Sequence, residues 1–283
     1  MTFLHELVRR MECFTALDKV AKPVAGFVGR AVRPRRVRNL LSGTSIGHPL
    51  HPMLTDLPIG AWSMSTLLDT VGGASAEPAA DLLVGAGILS AIPAAVTGLN
   101  DWSDTIGGET RVGAVHASAN VTALGLYLAS LVARRSGRRG RGKALGLAGL
   151  GVLMVSGYLG GHLSYARAVN VNRTTFEHRP EEWTPVLADA ELGEGEHRRV
   201  SAGEAAVLLV RDDGQLYALA NTCSHAGGPL DEGELLDGCV VCPWHASTFR
   251  LTDGSIARGP ASTPQPTYQT RVRDGHIEVR STG

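Results

Sequence analysis

The sequence predicts a two-part fold: an N-terminal transmembrane helical bundle of about four helices, followed by a small antiparallel β domain. Long stretches without charged residues are confined to the N-terminal part, and each is long enough to cross a bilayer as a helix. Short apolar segments alternate with Asp-Gly and Gly-Pro turns in the C-terminal part, a pattern typical of small β-sandwiches and barrels. Two short Cys/His motifs occur among those turns.

The chain divides into four successive regions. We predict a basic N-terminal tail over residues 1–46, a four-helix transmembrane domain over 47–168, a linker over 169–183 and the β domain over 184–283. An interfacial helix is also predicted in the tail, because its apolar side chains fall on one helical face: Leu4, Leu7, Val8 and Met11.

The transmembrane helices are predicted from charge and length. Residues 82–100, 112–133 and 144–166 contain no Asp, Glu, Lys or Arg. A fourth, weaker span covers about residues 53–73, with Asp56 near its start and Asp69 near its end. Buried helices of a soluble α domain are the alternative, but three uncharged runs of this length so close together favour a membrane domain.

Two β-hairpins are predicted in the C-terminal domain, each around a tight turn that contains Asp-Gly. The first pairs residues 206–210 with 215–220, and the second pairs 270–273 with 276–280. Such a frame holds its loops rigidly, and binding residues concentrate on loops of this kind.

Two motifs carry the chemistry of the β domain: Cys-Ser-His at 223–225 and Cys-Pro-Trp-His at 242–245. Each supplies one thiolate and one imidazole, a set that suits iron–sulfur chemistry and also zinc. A Rieske [2Fe–2S] centre takes two Cys on one iron and two His on the other. Zinc motifs usually begin with a wider spacing than Cys-x-His. A disulfide between Cys223 and Cys242 would leave both histidines unexplained.

The residues around these motifs resemble the Rieske family over roughly residues 183–283. Residues 223–230 are similar to the first cluster-binding loop, 241–245 to the second, and 259–261 to the proline-containing loop that covers the cluster. The resemblance implies one [2Fe–2S] cluster per chain, with four ligands: Cys223, His225, Cys242 and His245. Ala246 follows the second motif where the family usually has Gly, so we expect either an ordinary φ or local strain there.

The resemblance is to the ferredoxin-like branch of the family. Members of the cytochrome bc type carry an extra Cys in each loop, and the corresponding positions here are Gly228 and Trp244. Their Tyr near the second loop corresponds to Phe249, so we expect a lower reduction potential, with Ser247 left as a hydrogen-bond donor. Only 38 residues follow the second motif, too few for the catalytic domain of a Rieske oxygenase. We therefore predict no catalytic residues, only an oxidoreductase component.

Four histidines of the membrane part are further candidates: His48, His51, His116 and His162. Because successive spans alternate in direction, they are predicted to lie on one side of the membrane. They could make interfacial polar contacts, ligate haem b or another metal, or line a quinone or proton site. Residues 47–60 resemble an uncharacterised family of bacterial four-helix membrane proteins, over roughly residues 40–170. That resemblance implies an architecture and no activity.

The charge distribution is uneven, although the formal net charge is zero. From Thr174 onward there are 17 acidic and 9 basic residues, so the β domain could steer a basic redox partner. No motif for nucleic-acid binding is present. The expected partners are the lipid bilayer and either a redox protein or a quinone.

These observations predict a multi-pass protein of the bacterial inner membrane that passes single electrons between a membrane site and a redox partner. The alternatives are a redox sensor, in which the cluster regulates the membrane helices, and a Rieske ferredoxin that is merely anchored.

The distribution of basic residues does not decide on which side of the membrane the β domain lies. The tail carries nine basic residues and the loop 134–143 carries six, and with four spans the two lie on opposite sides. Unpaired Cys13 and Cys239 favour a cytoplasmic β domain, whereas the twin arginines before the last span favour export.

Overall fold

The computed structural model describes residues 3–282 and divides the chain into two units. One unit contains the residues up to Arg33 together with Pro49–Val169, and the other contains Pro34–His48 together with the residues from Asn170 onward. The chain therefore passes between the units three times. Pro34–His48, which by sequence belongs to the N-terminal region, folds with the β domain.

Seven α-helices occur in the described residues, so the expected number of about four is too low. They are α1 (Phe3–Cys13), α2 (Asp18–Ala31), α3 (Arg35–Ser42), α4 (Leu50–Val71), α5 (Glu77–Trp102), α6 (Gly107–Arg135) and α7 (Arg139–Gly161). The three additional helices lie in the stretch predicted as a basic tail. Although this stretch is basic, part of its apolar side chains is buried, and these side chains allow the helices to pack. Helix α3 belongs to the second unit and the other six to the first.

Three helical segments are long and apolar enough to cross a membrane: Ala74–Trp102, Gly107–Arg135 and Arg139–Ala166. Helix α4 is more polar, yet its 22 residues would extend about 33 Å at 1.5 Å per residue. It packs along α5 over most of that length. Ser65 Oγ donates to Ala80 O at 2.9 Å, and His51 Nδ1 lies 2.8 Å from Ala94 O. Helix α4 therefore lies alongside α5 in the bundle, although it is not among the three candidate spans.

A cluster of ion pairs holds one end of the bundle together, where α4 and α6 end and α5 and α7 begin. Arg134 is buried and pairs with Asp69 and Asp81. Arg139 pairs with Asp81 at 2.9 Å and with Glu77 at 3.2 Å. Charged residues from all four helices therefore pair with one another at this end. The pairing offsets the free-energy cost of burying these charges.

Helices α1 and α2 lie at the opposite end of the bundle. Val8 is buried against Val112 and Leu159, while Leu4 and Leu7 remain exposed. Thus only part of the predicted apolar face of α1 packs on the bundle. Ion pairs add to this packing: Arg111 Nε and Nη2 donate to the Asp18 carboxylate at 2.7 and 2.9 Å, and His162 Nε2 lies 3.1 Å from Glu12 Oε1. The N-terminal helices and the end of α7 consequently share one end of the unit.

The second unit contains two antiparallel sheets. Its strands are β1 (Thr184–Ala188), β2 (His197–Ala202), β3 (Ala205–Asp212), β4 (Gln215–Ala220), β5 (Glu234–Leu236), β6 (Cys239–Val241), β7 (Thr248–Arg250), β8 (Ile256–Arg258), β9 (Thr267–Arg273) and β10 (His276–Ser281). The six-stranded sheet has the order β1-β10-β9-β4-β3-β2, and the four-stranded sheet has the order β5-β6-β7-β8.

Both predicted hairpins are present. Asp212 pairs with Gln215 and Arg273 with His276, so two residues remain for each turn. The turn residues all have positive φ, between 50° and 75°, as a type I′ turn requires: Asp213, Gly214, Asp274 and Gly275.

One core of the β unit leads directly to the Cys/His motifs. Leu208, Leu219 and Phe249 are fully buried there, in the same apolar cluster as Cys223 and Cys242. The two cysteine side chains are therefore held in place by the closely packed apolar core.

Candidate metal centre

Two loops carry the predicted ligands. The first connects β4 to β5 and the second connects β6 to β7. Cys223 and Cys242 are buried, whereas His225 and His245 are half-buried. The two imidazole rings meet edge-on, with their centroids 5.1 Å apart. The structure thus brings all four side chains together, with the thiols inward and the imidazoles towards the surface.

The two thiols interact with each other. A hydrogen bond from Cys223 lowers the pKa of Cys242 to about 7, and the same contact raises the pKa of Cys223. The backbone amides of Trp244 and His245 also stabilise the Cys242 thiolate. Since the thiolate is the metal-binding form, the second loop favours the state that a metal needs. All cysteines are free, so the two are not joined as a disulfide.

The two loops have the same backbone hydrogen bonds. In each, the amide four residues after the Cys donates to the Cys carbonyl: Gly227 N to Cys223 O at 2.9 Å, and Ala246 N to Cys242 O at 3.0 Å. Gly227 and Ala246 therefore occupy equivalent positions, and both have positive φ, 83° and 58°. Of the two expectations for Ala246, the structure has the strained one.

Gly228 lies where the two loops touch. A Cβ at this position would lie 2.9 Å from Cys242 Sγ and 3.1 Å from the Trp244 ring. Only glycine therefore allows this close approach of the loops. The positions that correspond to the extra cysteines of the bc type, Gly228 and Trp244, are indeed neighbours.

Gln265 supports the first loop from below, a role that the sequence did not suggest. This buried side chain accepts a hydrogen bond from Ser224 N at 2.9 Å and donates to Ala220 O and Thr222 O, both at 2.7 Å. Ser224 Oγ in turn donates to Thr263 O at 2.8 Å. This role of the glutamine cannot be predicted from the sequence, because all its hydrogen-bond partners are distant in the chain.

The proline loop, Gly259–Ala261, is joined to the second cluster loop. Ser247 Oγ accepts from Ala261 N at 3.0 Å, and its own hydroxyl hydrogen remains available for donation. Arg258 donates to Ala246 O at 2.8 Å and to Gly259 O at 3.1 Å. The guanidinium thus ties the two loops together.

A half-buried acid, Glu177, lies beside the first loop. Burial raises the pKa of Glu177, whose carboxylate contacts Thr222 next to Cys223. Burial, together with the charge of Glu177, also raises the pKa of Tyr268 to about 12.

These residues fit a [2Fe–2S] cluster. The donor set is the one that such a centre requires, two reduced thiols on the inside and two imidazoles on the outside. The glycine contact between the loops leaves no room for a larger side chain beside Cys242.

Three of the membrane histidines lie at one end of the first unit, and His48 belongs to the second unit. His51 contacts Ala94 O as described above. His116 has partners on both ring nitrogens, Ser156 O at 2.9 Å and Asn120 Nδ2 at 3.1 Å. His162 pairs with Glu12. Structural polar contacts therefore account for these three side chains, and nothing in the described residues supports haem or a quinone.

Comparison with known proteins gives two families for the two parts. Residues 182–269 match the Rieske [2Fe-2S] domain, and residues 47–173 match a family described as predicted membrane protein (DUF2231).

Individual relatives match the Rieske part. The anthranilate 1,2-dioxygenase ferredoxin subunit of Burkholderia cepacia is 35% identical over 98 residues, which are 35% of this chain and 91% of that protein. Apoptosis-inducing factor 3 of Mus musculus is 34% identical over 91 residues, which are 32% of this chain but only 15% of that protein. The ferredoxin of carbazole 1,9a-dioxygenase from Nocardioides aromaticivorans is 27% identical, with a TM-score of 0.34 and coverage of 35% of this chain and 98% of that one.

The matched family, the ferredoxin relatives and the three apolar helices agree with the architecture described above. The chain therefore belongs to the Rieske [2Fe-2S] family, and its residues 47–173 match the family of predicted membrane proteins DUF2231.

Proposed function

We propose that this protein is a membrane-bound Rieske ferredoxin in which Cys223 and Cys242 bind one iron and His225 and His245 bind the other. It passes single electrons between a membrane site and a redox partner. The observation that carries the proposal is the orientation of the four side chains, with buried thiols beneath half-buried imidazoles. When bound, the cluster supplies one-electron chemistry.

The surface beside the histidines suits a partner protein. Trp244 is 52% exposed, and its ring centroid lies 6.4 Å from that of His245. An exposed tryptophan of this kind is a frequent anchor of protein interfaces. The partner would therefore approach the histidine side, where the path to the iron is short, while the apolar core below the thiols excludes water.

The relatives support a redox protein as that partner. The Burkholderia cepacia protein is named as the ferredoxin subunit of a dioxygenase, and we extend the same kind of role to this chain.

We place the β unit on the cytoplasmic side of the bacterial inner membrane. The N-terminal helices and the end of α7 share one end of the bundle, which fits four crossings and two termini on one side. The tail on that side has more basic residues than the loop between α6 and α7, nine against six. The free cysteines also fit a reducing compartment.

A redox sensor is the second candidate, and one contact favours it. The segment between α2 and α4 hydrogen-bonds the proline loop, so the loop over the cluster is joined to chain that continues into the membrane helices. Sustained electron transfer to an added acceptor would favour the carrier. A change of transport with the redox state, without turnover, would favour the sensor.

Purification of the full chain in detergent, under anaerobic conditions, tests the cluster. We expect two iron atoms and two acid-labile sulfides per chain, a [2Fe–2S] EPR signal on reduction, and no absorption from haem. Cys242→Ser should abolish the signal. Cys239→Ser is the matched control, because Cys239 is also a buried free cysteine but lies outside the loops, and it should retain the signal. Zinc in place of iron and sulfide would refute the proposal.

A further inference from the structure

The segment Pro34–His48, hereafter the 34–48 segment, folds with the β unit although more than 120 residues of membrane domain separate it from that unit in sequence. It consists of α3 and a short helical turn, Thr44–Ile46. Helix α3 lies against strand β8, which leads directly into the proline loop. The contact is therefore located at the cover of the proposed cluster.

Two hydrogen bonds join the 34–48 segment to the proline loop. Gly259 N donates to Asn39 Oδ1 at 2.8 Å, and Thr44 Oγ1 donates to Ala261 O at 3.0 Å. In both, a side chain of the 34–48 segment bonds to a backbone atom of the loop, so the two bonds constrain the backbone conformation of the loop.

The opposite side of the loop is attached to the second cluster loop through Ser247 and Arg258, as described above. The proline loop is thus held from two directions. The β unit supplies one set of contacts, and the 34–48 segment supplies the other.

The fit between the 34–48 segment and the loop is close. Gly259 is buried, and a Cβ there would lie 2.7 Å from Thr44 Oγ1 and 3.5 Å from Ser42 Cβ. The three atoms nearest to this Cβ position, apart from those of the neighbouring residues in the chain, all belong to Thr44 and Ser42 of the 34–48 segment. The requirement for glycine at 259 therefore comes from the 34–48 segment and not from the β sheets.

The ferredoxin relative from Burkholderia cepacia has few residues outside the matched domain that could form such a segment. The match covers 91% of the Burkholderia cepacia subunit, which leaves about a tenth of its length unmatched. The 34–48 segment is therefore an addition that this chain makes to the matched domain.

We infer that Asn39 and Thr44 are positioning residues, and that the 34–48 segment fixes the proline loop over the cluster site. The inference rests on the proposed function for the identity of the bound group, but the positioning itself does not depend on it. A fixed cover slows the access of solvent and chelators to the iron. The 34–48 segment, which holds the loop through hydrogen bonds, is continuous in the chain with α2 and α4.

Hydrogen exchange and iron release test this inference on the full chain in detergent. Asn39→Ala should accelerate exchange of the Gly259 amide about fivefold, the effect of losing one net hydrogen bond. Thr44→Val should accelerate iron loss to a chelator by a similar factor. Thr44→Ser keeps the hydroxyl and should behave as the parent protein does. Arg36→Ala, an exposed change on α3, is the control for altering the helix itself.

The effect of Thr44→Ala on the rate of iron loss should have opposite signs in the parent chain and in a Gly259→Ala chain. General destabilisation by Thr44→Ala would act in the same direction in both. Thr44→Ala should speed iron loss in the parent chain. In a Gly259→Ala chain the same change should slow it, because it removes the atom that the new methyl group meets.

Unchanged exchange at Gly259 in the Asn39 variant, or Thr44→Ala acting in the same direction in both backgrounds, would overturn the inference. Exchange is measured on the protein, whichever metal it holds. A failure here is therefore distinct from a failure to find the [2Fe–2S] cluster.

Discussion

At the scale of single residues, Ala246 is the clearest departure from what the local backbone prefers. Its φ of 58° lies in the left-handed region, where an L-residue costs roughly 1–2 kcal/mol. The equivalent residue of the first loop is Gly227, which adopts this conformation without that cost. The strain is maintained by Arg258 and by the backbone hydrogen bond to Cys242 O.

Ala246→Gly should therefore stabilise the β unit, by roughly 0.5–1 kcal/mol once the greater chain entropy of glycine is subtracted. The free energy of unfolding, from urea titration followed by near-UV circular dichroism, measures the change. Ala226→Gly is the matched control. Ala226 lies in the first loop without positive φ, so the same substitution should destabilise there. Loss of stability at both positions would mean that Ala246 is not strained.

At the scale of elements, local patterns predicted much of the fold. The Asp-Gly turns gave both hairpins because the turn type depends only on the residues in the turn. The uncharged runs gave α5, α6 and α7, because the requirement for membrane spans is also local. The proposed ligand motifs were visible because each places its Cys and its His within three positions of each other in sequence. Supports such as Gln265 were not, since their partners are distant in sequence.

Helix α3 illustrates what a single sequence does not reveal. It lies in the stretch predicted as a basic tail, yet Arg38 and Ser42 are buried in the β unit. Asn39 of this helix contacts Gly259, which is 220 residues away, and Thr44 of the following turn contacts Ala261, which is 217 residues away. The pattern of apolar and charged residues within the tail cannot predict contacts with residues so far away in the sequence.

The ion-pair cluster at the end of the bundle gives the prediction for the helices. The Arg134 side chain is 1% exposed and that of Asp69 is 7% exposed. Arg134→Met should cost about 3–5 kcal/mol, because it removes the buried counter-charge of Asp69 and leaves only the partly exposed Arg139 beside that carboxylate. Unfolding of the detergent-solubilised protein in sodium dodecyl sulfate measures the loss.

The same substitution should cost less when Asp69 and Asp81 are changed to Asn with it, since no uncompensated charge then remains. If the triple variant is as unstable as Arg134→Met alone, packing and not charge holds this end of the bundle.

At the scale of the whole molecule, the number of crossings is the property to test. Cys13 is exposed and free at the end of the bundle where α7 ends. A membrane-impermeant maleimide should label it only when the cytoplasmic face of bacterial membrane vesicles is accessible. Cys13→Ser identifies the labelled site.

Ser136→Cys in the Cys13→Ser background provides the opposite reference, because Ser136 is exposed between α6 and α7. It should be labelled only from the other face. Labelling of both positions from the same face would show that α4 does not cross the membrane.

The path of the chain also has a consequence for biosynthesis. The 34–48 segment leaves the ribosome more than 200 residues before Gly259 and Ala261, its partners, have been translated. It must remain without them while α4 to α7 are synthesised. Its contacts with the proline loop are thus among the last to form, and a chain that stops before Gly259 cannot make them.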